Sequence, residues 1–196
     1  MPIMKRLSQL ATTLSLLAAS TSVLAHPGHG GYGLAAGLAH PFTGLDHLLA
    51  MFAVGLWAAQ DHPQRRAIWA LPAAFMLALV AGAALGMSGL ALPWVEQGIS
   101  GSVLALGLLL ALAVRVPAAL SVGVTALFGA AHGYAHGAEM PPSASPLWYG
   151  AGFLLATGLL HGIGVLAGLT VRQRAAVTLA GTALSLAGAG MLLGLA

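Results

Sequence analysis

Six apolar stretches fill the chain from residue 33 onward: Gly33–Ala59, Ala67–Met87, Gly98–Val114, Ala118–Gly137, Leu147–Thr170 and Ala175–Leu195. A helix rises 1.5 Å per residue, so about twenty residues cross the ~30 Å hydrocarbon core of a bilayer. Backbone amides find no water in lipid, and a helix satisfies them within itself. The stretches lack the short apolar–polar alternation of barrel strands. They predict an all-α integral membrane protein built as a six-helix transmembrane bundle. Charged residues make up 6% of the chain, against roughly 25% in soluble domains, too few to clothe a water-facing surface. The longest loops, about ten residues, are too short to fold as separate domains.

The first 25 residues have the layout of a cleavable signal peptide. Lys5 and Arg6 give a basic start, Leu10 to Ala19 an apolar middle, and Val23-Leu24-Ala25 small residues before the cleavage point. An uncleaved first helix is the alternative, opposed by the short apolar middle. The expected organisation is therefore a signal peptide over 1–25 and a transmembrane domain over 26–196. Arg65 and Arg66, Arg115, and Arg172 and Arg174 all fall in alternate loops; the other two loops carry Glu96 and Glu139. The positive-inside rule makes the arginine side cytoplasmic. That gives N-out, C-out, in agreement with an exported N-terminus.

Several functions are excluded or disfavoured. Of the basic residues behind the formal charge of +3, Lys5 and Arg6 lie in the expected signal peptide and the rest in short loops, without the basic face and interleaved aromatics that bind nucleic acid. There is no cysteine, hence no disulfide and no thiolate ligand. There is no phosphate-binding GxxxxGK[ST] loop, so the chain cannot hydrolyse ATP itself.

Two polar clusters interrupt the apolar stretches. AHGYAHGAE places His132, His136 and Glu139 about one turn apart on one helix face. Imidazoles four residues apart on a helix can share one metal ion. Glu139 suits a ligand, an outer partner that orients an imidazole, or an entrance charge. HPFTGLDH carries His40, Asp46 and His47. His40 and His47, seven apart, share a face, while Asp46 would point elsewhere in a straight helix. Pro41 and Gly44 predict a kink or unwound segment, which would turn Asp46 toward the histidines and free a backbone carbonyl as a further ligand. The plainer alternative is an Asp46–His pair that locks the bundle. Ionisable groups in a membrane are costly unless they bind or pair, and two such clusters in one chain point to a metal site. His161, in the fifth stretch, is a further candidate ligand, with packing as the alternative. His26 and His29, at the expected mature N-terminus, suit capture of an ion at the outer mouth, with a tail of no function as the alternative. His62 lies in an arginine-side loop and is expected to be solvated. Nitrogen and oxygen donors suit nickel, cobalt, zinc, copper or iron(II), and suit magnesium or calcium poorly.

HPFTGLDH in the first span, HPGHG behind the signal peptide and FGAAHGYAHGAE in the fourth span together resemble the HupE/UreJ family of bacterial membrane proteins. The resemblance covers the signal peptide, six spans and both motifs in order. It implies a nickel permease, with cobalt as an alternative cargo, in the bacterial inner membrane, serving hydrogenase or urease maturation. The positions it marks are His40, Asp46, His47, His132, His136 and Glu139. It implies no enzymatic activity and a divalent cation and the lipid bilayer as partners.

Two other functions are open to the sequence. The chain could bind metal as a membrane accessory protein without moving it. Gly86-Met87-Ser88-Gly89 also spells the GxSG string of a rhomboid-like intramembrane serine protease, with His161 as base, although Ser88 falls at a predicted helix end. Glycines four apart, Gly129/Gly133/Gly137, Gly82/Gly86, Gly158/Gly162 and Gly164/Gly168, predict close helix contacts. Such faces serve equally within the bundle or in a homo-oligomer.

Overall fold

The computed structural model describes residues 33–61, 67–140, 143–171 and 173–195. All of them belong to one structural unit, Tyr32–Ala196. They form seven α-helices and a single 3-10 turn, with no strand among the described residues: α1 Leu34–Ala39, the turn His40–Phe42, α2 Leu45–Asp61, α3 Ala70–Met87, α4 Val95–Leu112, α5 Ala118–Ala138, α6 Pro146–Thr170 and α7 Arg174–Leu192. Five helices, α3 to α7, are long and apolar enough to cross a bilayer, and a sixth span results if the bent α1–α2 pair is counted as one. The expected signal peptide over 1–25, together with His26, His29 and His62, lies outside the described residues.

The first apolar stretch is the one that departs from a simple rod. Instead of one kinked helix over Gly33–Ala59, two helices meet at 83°. Pro41 sits in the 3-10 turn, where its missing amide interrupts the α-helical ladder. The Thr43 amide and hydroxyl both donate to the His40 carbonyl, at 3.0 and 2.7 Å, and finish the turn. The α2 ladder begins at Gly44, whose carbonyl accepts from the Leu48 amide.

Glycine contacts set which helices pair. A Cβ added at Gly129, Gly133 or Gly137 would overlap the carbonyl oxygen of Phe75, Leu79 or Ala83 respectively. The partner numbers rise together, so α3 and α5 run in the same direction at backbone contact. Gly55 and Gly164 join α2 to α6 in the same way, and Gly37 and Gly152 join α1 to the start of α6. Between α4 and α7 the order reverses, with Leu104 against Gly188 and Ala111 against Gly181, so these two are antiparallel. Of the expected glycine pairs, Gly158/Gly162 makes no such contact: Gly158 meets only the Met76 side chain and Gly162 faces open space.

The interior is apolar, centred on Met51, Val54, Trp57, Leu71, Phe75, Val103 and Leu106. The outside is apolar as well. Leu77, Leu127, Leu155, Leu166, Leu179 and Leu186 are each more than 60% exposed. A soluble protein does not surround itself with leucine; a bundle that meets lipid does.

Candidate metal centre

The break in the first stretch places His40 on one side of the 83° corner and Asp46 and His47 on the other. At the start of α2, Asp46 Oδ1 accepts from His47 Nδ1 at 2.6 Å and from the His47 amide at 2.8 Å. Gly44 makes this possible: a Cβ there would lie 2.8 Å from Asp46 Oδ1 and 2.9 Å from His47 Nδ1. With Nδ1 held as donor by the carboxylate, Nε2 of His47 carries the free lone pair. It is buried and has no partner. Asp46 thus orients the His47 imidazole, the arrangement in which a carboxylate commonly stands behind a metal-binding histidine.

The α5 histidines meet this corner. The His136 ring centroid lies 4.8 Å from that of His40 and 4.2 Å from that of His47; His132 lies 4.9 Å from His47. His132 Nδ1 donates to the Phe128 carbonyl at 2.9 Å, one turn back on its own helix. Its Nε2 is therefore the acceptor and is unpartnered, as are both ring nitrogens of His136. Leaving a buried ring nitrogen without a hydrogen bond costs about 1–3 kcal/mol. Three such rings side by side make a nest of lone pairs that a Lewis acid would satisfy.

Exposure falls steadily through the cluster. Glu139, the residue that ends α5, is exposed and His40 is half-buried, whereas His136, His47 and His132 are buried. One donor atom each from His40, His136 and Glu139 lie within 4.8 Å of one another. Donors at opposite ends of a metal with ~2.1 Å bonds stand about 4.2 Å apart, so an ion here would draw the three inward by a few tenths of an ångström or hold one through water. Five of the six motif residues therefore run from an exposed mouth to a buried interior, with Asp46 beside His47.

His161 stands apart. It is fully buried on α6, and Phe75 separates it from the cluster, with ring centroids 5.1 Å from His161 and 5.5 Å from His132. The serine-protease pairing does not form. Ser88 is exposed at the end of α3 and its hydroxyl donates to the Leu85 carbonyl at 2.6 Å, while His161 Nδ1 is bound to the Thr157 carbonyl at 2.8 Å.

Two features escaped sequence reasoning. The α6 side chains Tyr149 and Phe153 wall the cluster: Phe153 lies 4.2 Å from His136 and 6.0 Å from His40, and Tyr149 lies 5.7 Å from His40. Their spacing of four, continued at Thr157 and His161, was the available signal. Tyr134, between the two α5 histidines, faces the other way; its hydroxyl donates to the Leu90 carbonyl and accepts from the Leu92 amide, tying the α3–α4 loop to α5.

Comparison with known proteins gives a consistent picture. The family model described as HupE / UreJ protein matches residues 14–193. Protein HupE of Rhizobium leguminosarum bv. viciae is 45% identical over 193 residues, covering 95% of this chain and 98% of that protein. No solved structure gives a significant match.

Proposed function

The chain belongs to the HupE/UreJ family, and on that premise we propose that it is a permease for nickel, with cobalt as an alternative cargo. The observation that carries the proposal is the convergence of His40, His47, His132 and His136, from a broken helix and an intact one, with buried ring nitrogens left unpartnered. Imidazole with carboxylate, and no thiolate, suits Ni2+ and Co2+. A resident structural metal is normally enclosed by its ligands. Here the donors are strung from the exposed Glu139 to the buried His132, which suits entry, partial dehydration and onward transfer.

The orientation that goes with this function puts the Glu139 mouth outside and the arginine loops in the cytoplasm of a bacterial inner membrane, N-out and C-out. Residues 1–25 act as the signal peptide and 26–196 as the transport domain. The metal delivered serves hydrogenase or urease maturation. Metal displaces protons from imidazole, so uptake driven by a proton gradient is chemically available.

Uptake of radioactive nickel into proteoliposomes tests the proposal. Accumulation above protein-free vesicles is expected, and a response to an imposed pH gradient separates proton coupling from facilitated diffusion. Tight equilibrium binding without uptake would leave an accessory metal-binding protein and discard the permease.

A further inference from the structure

His161 repeats the design of His132 on a different helix. Each ring donates Nδ1–H to the carbonyl one turn back, Phe128 for His132 and Thr157 for His161. Each is fully buried and leaves Nε2 without a partner. Beside His161 on the same face of α6, Thr157 Oγ1 is also buried and unpartnered. A histidine that only packed would be expected to satisfy both nitrogens or to be replaced by an apolar side chain at no cost. Two open polar atoms four residues apart, in otherwise apolar surroundings, need a ligand to offset their burial.

The position along the bundle is equally informative. Tyr149, Phe153, Thr157 and His161 form one stripe down α6. The first two touch the His40/His136 end of the cluster, and His161 follows Phe153 by eight residues, about 12 Å of helix. The buried Phe75 ring packs against both His132 and His161. On the far side, Gly55 of α2 backs onto the His161 carbonyl. Two residues further, Trp57 lines a cavity of about 230 Å³ together with Gln60, Arg115 and Arg174. His161 therefore stands between the histidine cluster and a cavity near the opposite end of the bundle.

We propose that His161 and the Thr157 hydroxyl form a second, inner cation station, separated from the outer histidine cluster by the Phe75 ring, which passes a divalent ion toward the Trp57/Arg115/Arg174 cavity. One imidazole and one hydroxyl hold an ion weakly, which suits a station the ion must leave. The inference rests on the permease proposal for its direction of travel, but not for the existence of the second site.

The purified full-length chain in detergent is titrated with Ni2+ by calorimetry, alongside uptake by the same preparation in proteoliposomes. The wild type shows two binding events, the second weaker. His161→Leu, which keeps the bulk and removes the donor, abolishes the weaker event, leaves the tighter one unchanged and slows uptake at least about tenfold. Should that variant not purify as a monodisperse protein, Thr157→Val, which preserves shape, weakens the same event alone. His47→Ala does the reverse, removing the tighter event. A wild type with a single event, or with two that both survive His161→Leu, overturns the inner station. Two events in a chain that accumulates no nickel would defeat the permease proposal and leave the inner site in place.

Discussion

The buried serines of the α4–α7 pair and the buried histidines of α2, α5 and α6 are treated differently by the fold. In α4 and α7, Ser102 Oγ donates to the Ile99 carbonyl at 2.6 Å and Ser185 Oγ to the Gly181 carbonyl at 2.9 Å. Each hydroxyl is satisfied inside its own helix, and backbone contact at Gly107, Gly181 and Gly188 does the rest. On α2, α5 and α6, His47, His132, His136 and His161 keep buried nitrogens open. The first arrangement is complete without a ligand. The second leaves buried lone pairs that a Lewis acid could occupy. Whether the buried hydrogen bonds close therefore separates the serines of α4 and α7 from the histidines of α2, α5 and α6.

Substitutions can break or sharpen that contrast. The largest effect is expected at His136, which lies against both His40 and His47. His136→Ala should abolish nickel uptake in proteoliposomes while the protein still inserts and purifies; uptake near wild type would show that the open nitrogens are incidental. Asp46→Asn keeps the shape of the partner of His47 but removes its charge. Loss of such an outer carboxylate typically lowers metal affinity 10–100-fold, read directly by Ni2+ titration, and an unchanged affinity would reduce Asp46 to a lock on the α1–α2 corner. Gly181→Val probes the closed half, since a Cβ there would collide with Ala111 and Gly107 backbone atoms. Overpacking of this kind costs about 1–3 kcal/mol. Thermal unfolding in detergent should fall, while uptake per folded molecule stays constant. Ser185→Ala should be the mildest, about 1 kcal/mol or less for one intrahelical hydrogen bond, with no change in uptake. A transport defect there would erase the contrast between the two halves.

Much of this architecture is legible along the chain. Helices α3 to α7 begin and end within about three residues of the apolar stretches that predict them, because in lipid a long apolar run has no alternative to a helix. Three of the four glycine sets fall at helix contacts. Gly158/Gly162 does not, since spacing names a face of a helix without naming what packs there. The two motifs identify the residues that meet, and Pro41 with Gly44 places the break where it occurs.

The angle of that break, the role of Asp46 and the place of His161 were decided by tertiary structure. A proline shows that a helical ladder stops but not the angle; here α1 packs on Gly152 and α2 on Gly164 of α6, and the two helices meet at 83°. Along the sequence Asp46 is open to two roles, a ligand turned toward the histidines by a break or a partner of one of them, and the fold places its Oδ1 on His47. His161 reads as an isolated polar residue, and it lies across the Phe75 ring from His132 only because α3, α5 and α6 come together around that ring. Composition and periodicity act locally, through what each segment can satisfy for itself. Which nitrogen is left without a partner depends on every neighbour, and that is a property of the packed bundle alone.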